Sequence, residues 1–86
     1  MEDQLEIWQG VMGIGTWSKK YFILADNILS YCTGKGGNLE GRVHMQVANV
    51  EPGPQNTPIF KINTGVQSLK LKADSINSKN RWLNAL

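Results

Sequence analysis

Cysteine, histidine and paired catalytic groups are scarce in this sequence of 86 residues. Cys32 is the only cysteine, which excludes an internal disulfide and a cysteine-based metal site. His44 is the only histidine, and nothing in the sequence joins it to Cys32 as a base to a nucleophile. No paired acid and base and no metal-ligand spacing are present. We therefore expect neither an enzyme nor a bound cofactor or metal.

Long apolar runs are also absent. No stretch approaches the roughly 20 apolar residues that a membrane-spanning helix needs. Residues 1–4 are acidic, lack the features of a signal peptide, and are expected to form a tail. The length leaves no room for a second lobe. The sequence thus predicts one soluble, cytoplasmic domain over residues 1–86, and we expect it to be a monomer.

Charge is low overall but unevenly distributed. The net charge is +2, yet three of the seven acidic groups lie within the first ten residues. Residues 11–86 hold nine basic and four acidic side chains, a net charge of +5. This excess favours an anionic partner such as a lipid head group or a phosphopeptide. Nucleic acid is not expected, because the basic residues are scattered and no exposed aromatic residues for base stacking are evident.

The most informative stretch is Trp17–Leu24, which joins a basic, polar half to an apolar, aromatic half. The turn signal Asp26-Asn27 follows it and leads into Ile28–Tyr31, so the pattern predicts a β-hairpin. A first strand, Leu5–Met12, precedes it. Gly10 interrupts that strand and indicates a bend, a bulge or the close approach of another backbone.

Residues 13–16 are expected to form a short, flexible connection between these two strands. Ile14 stands between two glycines there. It is either a turn residue packed on the hairpin or an exposed apolar tip that enters a membrane surface. After the hairpin, the loop Thr33–Asn38 is rich in glycine. Its Lys35 is not followed by Ser or Thr, so the loop does not match a nucleotide-binding phosphate loop.

The second half of the sequence predicts three or four more strands. Arg42–Val47 alternates strictly, with Arg42 and His44 on one face. Residues 48–51 continue this strand or form a short neighbour, and the proline-rich residues 52–58 break the pattern. Two further strands are predicted at Ile59–Asn63 and Ser68–Lys72, the latter with its lysines turned to solvent.

A helix is predicted over residues 75–86. Ser75 is a suitable N-cap, and the apolar residues that follow recur with helical spacing. The pattern reaches Leu86 without a C-capping glycine, so we expect a truncated helix within a longer polypeptide. About seven short strands closed by this helix predict a mainly β domain, a β-sandwich or partly open barrel capped at one end.

In this order the residues resemble the pleckstrin homology (PH) domain family over nearly the whole chain. The resemblance rests on Gly10, on Trp17–Leu24 followed by Ile28–Tyr31, and on Leu71-Lys72-Ala73 followed by Ser75 and by Arg81–Leu86 with its Trp82. It implies a seven-stranded fold with a C-terminal capping helix.

Two segments, Gly41–Val50 and Leu69–Ser75, are similar to the Golgi-directed subgroup found in oxysterol-binding and related lipid-transfer proteins. This similarity implies binding of phosphoinositides, chiefly phosphatidylinositol 4-phosphate, and for some members of Arf-type small GTPases. It also implies a peripheral location at the Golgi or at other membranes that contain phosphoinositides.

The resemblance implies a head-group site between the first two hairpins. Lys20 matches the inner basic position of the second strand, whereas Ser18 stands where many members have the outer one, and Glu40 lies where the subgroup is often basic. The residues assigned to the head group are Lys20, Lys19, Ser18, Lys35, Arg42 and His44. Ile14 and Trp17 are expected to contact the membrane. With so few matched basic residues we expect weak, poorly selective lipid binding. The alternative is a protein-interaction module that binds a small GTPase or a peptide at a strand edge or beside the helix.

Overall fold

The computed structural model describes all residues from 1 to 86 as seven antiparallel strands followed by one α-helix. The strands are β1 (Glu2–Val11), β2 (Ile14–Ala25), β3 (Ile28–Cys32), β4 (Leu39–His44), β5 (Asn49–Glu51), β6 (Ile59–Asn63) and β7 (Ser68–Lys72), and the helix is α1 (Ile76–Ala85). They form a single sheet in the order β4-β3-β2-β1-β7-β6-β5. The sheet is not closed, which confirms the predicted mainly β, partly open architecture. The helix is too short and too polar to cross a bilayer.

The core lies on one face of this sheet, which we call the inner face; the opposite face is the outer face. Alternate side chains of each strand point inward. The eleven buried apolar residues are Leu5, Ile7, Phe22, Leu29, Val43, Phe60, Ile62, Leu69, Leu71, Ala73 and Trp82. Trp82 comes from α1 and is fully buried, so the helix completes the core.

Hydrogen bonds at both ends of the helix's first turn fix α1 in place. The Ser75 hydroxyl accepts a hydrogen bond from the Ser78 backbone N–H at 3.1 Å, which confirms Ser75 as the N-cap. The ammonium group of Lys79 is buried and donates to the carbonyl oxygens of Pro54 and Thr57, at 3.1 and 2.8 Å. These bonds attach the helix to the loop between β5 and β6, because a buried charge must find polar partners.

Two hairpin turns have the backbone conformation that matches the twist of their strands. Asp26 and Asn27, with φ of 53° and 64°, join β2 to β3 as predicted. Met12 and Gly13, with φ of 57° and 81°, join β1 to β2. The prediction of a flexible connection over residues 13–16 is therefore wrong. Pairing of β1 with β2 continues to the last residue before the turn, so only two residues remain unpaired.

Gly10 does not interrupt β1. It lies opposite Gly15 in β2, and a Cβ atom at Gly15 would come within 2.5 Å of the Gly10 Cα atom. Of the three interpretations of Gly10, close approach of another backbone is the correct one.

The predicted acidic tail is also wrong. Glu2 pairs with Ile23, and the Leu24 backbone N–H donates to the Met1 carbonyl oxygen at 2.7 Å. Residues 2–4 belong to β1 because the twelve residues of β2 offer pairing partners along its whole length.

The strand predicted over Arg42–Val47 ends early, at His44. Met45–Val47 forms a short 3-10 turn instead, and the Met45 backbone N–H donates to the Asn27 carbonyl oxygen at 2.8 Å. This bond turns the chain toward the β2–β3 turn, so Met45 packs on the core while Val47 is exposed.

Candidate functional site

The β1–β2 turn and the β3–β4 loop lie at the same end of the sheet, which we call the loop end. This follows from the antiparallel pairing, since β1 and β3 both run toward that end and β2 and β4 both start there. Lys35 is exposed in the β3–β4 loop. The loop end is thus the place where the predicted head-group residues should meet.

Lys20 lies on the inner face near the loop end, but its charge is already paired. It stands opposite the buried Leu5 in β1. Its Nζ atom lies 2.8 Å from Oε1 of Glu40, and the two side chains are 15% and 33% exposed. Glu40 approaches from β4, where the pairing register with β3 shifts between Tyr31 and Cys32. Such irregularities redirect side chains, so a carboxylate occupies the position where an anionic ligand would contact Lys20.

Ser18 is the next inner-face residue of β2 toward the loop end. Its hydroxyl donates a hydrogen bond to Oε1 of Gln9 on β1, at 2.9 Å. The inner face therefore presents one lysine and three uncharged polar side chains at this end, since Thr16 lies opposite Gln9 on the same face. Such groups can hydrogen-bond a phosphate or a sugar hydroxyl, but they bring no further positive charge.

Three of the predicted head-group residues point elsewhere. Lys19 follows the strand alternation onto the outer face, opposite Glu6. Arg42 and His44 are exposed on either side of the buried Val43, and so lie on the face of β4 opposite the core. The structure therefore does not bring these side chains together with Lys20, and the predicted basic surface is divided between two faces.

The two predicted membrane-contact residues occupy different environments. Ile14 is exposed and is not packed on the hairpin, so it belongs to an apolar tip; its contact with a membrane stays a prediction. The tip also includes Val11 and Met12, and the exposed fractions of Val11, Met12 and Ile14 are 76%, 96% and 81%. Trp17 is half-buried on the outer face, where its ring meets that of Trp8 edge to face with centroids 5.5 Å apart. Trp17 thus packs on the sheet behind the tip.

Sequence reasoning missed a second feature, the tryptophan–lysine cluster of Trp8, Trp17, Lys70 and Lys72. Nζ of Lys70 lies 5.8 Å from the Trp8 ring centroid and 5.9 Å from that of Trp17. Nζ of Lys72 lies 4.6 Å from the Trp17 centroid and 3.3 Å from a carboxylate oxygen of Glu6. These are cation–π distances. Alternation in β1, β2 and β7 places all four side chains on the outer face, but only the pairing of β1 with β7 brings them together.

The structure contains no group of three or more His, Cys, Asp or Glu side chains that could hold a metal ion.

A groove of about 650 Å³ lies between α1 and the β5–β6 loop, and only two of its nine lining residues are hydrophobic. It is therefore a polar groove beside the helix, not an apolar one.

Comparison with known proteins identifies relatives by family and by fold. A family model described as PH domain matches residues 1–86. The PH domain of human TBC1 domain family member 2 superposes with a TM-score of 0.85 at 20% identity, covering 99% of this chain and 75% of that one. The PH domain of human oxysterol binding protein-related protein 11 gives 0.82 at 16% identity, with 99% and 74% covered.

The C-terminal PH domain of pleckstrin, solved in complex with D-myo-Ins(1,2,3,4,5)P5, gives a TM-score of 0.74 at 25% identity, with 96% and 90% of the chains covered. No curated protein sequence matches this chain. The oxysterol-binding subgroup is only one of several among these neighbours, so the likeness to that subgroup stays a prediction.

Proposed function

Because the chain belongs to the PH domain family, we propose that it is a membrane-targeting module that binds a phosphoinositide head group at the inner face of its loop end. The observation that carries this proposal is the position of Lys20, a largely buried lysine on the inner face behind an exposed apolar tip. The pleckstrin domain crystallised with an inositol pentakisphosphate supports the same ligand chemistry. PH domains are generally non-catalytic binding modules.

The composition of the site favours a head group with few phosphates, such as phosphatidylinositol 4-phosphate. One lysine, one serine, one threonine and one glutamine face the site, and each phosphate needs several positive or donating partners to offset its loss of hydration. A charge-assisted hydrogen bond contributes about 1.5–3 kcal/mol. A phosphate must also displace Glu40 from Lys20, so binding is weak and depends on other membrane contacts.

The apolar tip supplies such a contact. Full burial of a side chain the size of Val, Met or Ile is worth about 1.5–3 kcal/mol, and the β1–β2 turn presents three of them to solvent. Lys35 in the adjacent loop adds about 1 kcal/mol near an anionic leaflet. The tip and Lys35 together support peripheral association with the loop end toward the bilayer. The Golgi as the location remains a prediction of the subgroup resemblance.

Flotation with liposomes that contain or lack phosphatidylinositol 4-phosphate tests this proposal. We expect the chain to float with the vesicles that contain phosphatidylinositol 4-phosphate. Lys20→Ala should reduce the bound fraction several-fold, because the lost contact is worth at least about 1 kcal/mol. Lys19→Ala is the matched control, since it removes the same charge from the adjacent residue on the outer face. Equal losses in the two variants would refute an inner-face site.

A substitution in the apolar tip distinguishes insertion of the tip into the bilayer from a general effect of protein charge on vesicle binding. Ile14→Asp should weaken flotation, whereas Val47→Asp, at an exposed valine in the turn after β4, should weaken it less.

If flotation shows no dependence on the phosphoinositide at moderate salt, the alternative function takes precedence. That alternative is a protein-interaction module for a small GTPase of the Arf type or for a peptide.

A further inference from the structure

We propose that the outer face of the sheet binds an acidic peptide segment of a partner protein, in a row formed by Lys61, Lys70, Trp8 and Trp17. Lys61 and Lys70 hold the peptide's carboxylates, and the two tryptophans contact an apolar side chain a few residues away. This site lies on the opposite face from Lys20, so it stands or falls independently of lipid binding.

The two lysines of this row are unneutralised. Lys61 on β6 lies directly opposite Lys70 on β7, both are exposed, and neither forms a salt bridge. Like charges directly opposite each other destabilise a sheet. By contrast, Lys20 and Lys72 each have a carboxylate within salt-bridge distance. An anion bound between Lys61 and Lys70 would remove their mutual repulsion.

A cavity beside the two lysines provides space for such an anion. Its volume is about 410 Å³, and it is lined by Glu51, Gly53, Pro54, Ile59, Lys61 and Lys70. Glu51 lies opposite Lys61 on the edge strand β5 without forming a salt bridge to it. The Glu51 carboxylate makes that wall unfavourable for a second anion. A peptide carboxylate is therefore directed toward the Lys70 side of the cavity, next to the tryptophans.

The tryptophans continue the row across the sheet. Trp8 pairs with Trp17, and extension of the β1–β7 pairing places Trp8 beside Lys70. Four adjacent strands at about 4.8 Å spacing give a row roughly 14 Å long, which an extended peptide of about four or five residues spans at about 3.3 Å per residue. The order of groups is cationic, cationic, aromatic, aromatic. A peptide with two acidic residues followed by an aromatic residue is complementary to it.

The same geometry favours a peptide over a membrane as the occupant. Both tryptophans are half-buried and packed edge to face, so neither ring projects from the sheet to enter a bilayer. The side chains that do project are those of the apolar tip at the loop end. A peptide brings its own apolar side chain to a flat aromatic surface, and Lys70 adds a cation beside it.

The test is an NMR titration of the ¹⁵N-labelled chain with the peptide acetyl-Glu-Glu-Gly-Phe-amide, with acetyl-Gln-Gln-Gly-Phe-amide as the uncharged control. We expect saturable shifts of the indole N–H signals of Trp8 and Trp17 with the acidic peptide only. The indole of Trp82 is buried in the core and should not move, so it is an internal reference. No saturable shift at Trp8 and Trp17, or equal shifts with both peptides, would overturn the proposal.

Charge-matched variants locate the site. Lys61→Gln with Lys70→Gln should weaken peptide binding at least about tenfold, because two charge-assisted contacts are lost. Arg42→Gln with Arg81→Gln removes the same charge elsewhere and should have little effect. Equal weakening by both pairs would show bulk attraction only and overturn the proposal. Loss of binding to phosphatidylserine vesicles in the lysine variant, with peptide binding intact, would instead assign the row to a lipid surface.

Discussion

Lys20 on the inner face lies 2.8 Å from a carboxylate, whereas Lys70 on the outer face lies between another lysine and a tryptophan. The difference follows their burial. The Lys20 side chain is largely enclosed, and an enclosed ammonium needs a close partner to offset its lost hydration. Lys70 is exposed and keeps its water. The comparison shows that the number of basic residues does not tell how many are available to an anionic ligand.

The consequence differs for the two faces. On the inner face, any phosphate competes with Glu40, so affinity is limited by a residue that belongs to the protein itself. On the outer face, an anion meets Lys61 and Lys70 without a competing salt bridge. Affinity at the outer face should therefore depend more strongly on the negative charge of the ligand. Affinity at the inner face should depend more strongly on removal of the competing carboxylate of Glu40.

The largest effect is expected from Glu40→Lys. The substitution removes the competing carboxylate and places a second cation beside Lys20. A gain of about 1.5–3 kcal/mol is expected from one charge-assisted contact, which corresponds to roughly a ten- to hundredfold lower Kd for phosphatidylinositol 4-phosphate vesicles. Glu40→Gln should give a smaller gain. Flotation over a range of lipid concentrations measures both.

Glu51→Lys is the control for this prediction, because it makes the same charge change on the outer side of edge strand β5. It should increase vesicle binding far less than Glu40→Lys. If the two variants gain affinity equally, the Lys20–Glu40 pair does not limit binding, and the contrast between the two faces is lost.

A smaller effect, on stability, is expected from Trp17→Ala. The variant loses the edge-to-face contact with Trp8, worth about 0.5–1.5 kcal/mol, and the close cation–π contact with Lys72, worth about 0.5–1 kcal/mol at an exposed site. We expect the free energy of unfolding to fall by about 1–2.5 kcal/mol in urea denaturation. Lys70→Gln should change it by less than about 0.5 kcal/mol. The Lys70 ammonium lies 5.8 and 5.9 Å from the two ring centroids, at the limit for a cation–π contact, and its removal relieves the repulsion from Lys61. A cost of Trp17→Ala no larger than that of Lys70→Gln would show that the cluster does not stabilise the sheet.

Where alternation and turn residues agreed, the sequence was enough to predict the fold. The bounds of β6 and β7 are as predicted, since Pro58 precedes β6, a Thr-Gly pair separates the two strands, and apolar and polar residues alternate from Phe60 through β6 and along all of β7. The prediction failed where tertiary hydrogen bonds overrode the local pattern. Residues 2–4 pair with β2 although they are polar, and Met45 leaves its strand to bond the β2–β3 turn.

The candidate site was less predictable than the fold. The family resemblance placed Lys20 at the inner basic position of its strand, but the approach of Glu40 depends on a register shift that no short sequence pattern encodes. The tryptophan–lysine cluster joins residues from opposite ends of the chain. Its two lysines were predicted to face solvent, but only the β1–β7 pairing made Lys70 a neighbour of Trp8.

The smallest expected effect concerns Glu2, which lies at the start of β1, away from the loop end. The Tyr21 hydroxyl donates a hydrogen bond to Oε1 of Glu2 at 2.6 Å, and this bond to the carboxylate is the main reason that the pKa of Tyr21 is raised to about 12. The protonated phenol is thus favoured in the folded state. Its contribution to stability is complete below the unfolded pKa of about 10 and is lost as the pH rises toward 12.

Tyrosinate absorbance in an alkaline titration measures this shift. Tyr21→Phe should remove the latest transition, and Glu2→Gln should move it to lower pH because the carboxylate acceptor is gone. Glu2→Gln should leave the outer-face peptide affinity unchanged, since Glu2 pairs at the start of β1 with Ile23, away from Lys70 beside Trp8. A tighter peptide complex in Glu2→Gln would mean that this carboxylate screens the outer-face lysines, and Lys61 and Lys70 would then not be the free charges that distinguish the outer face from the inner one.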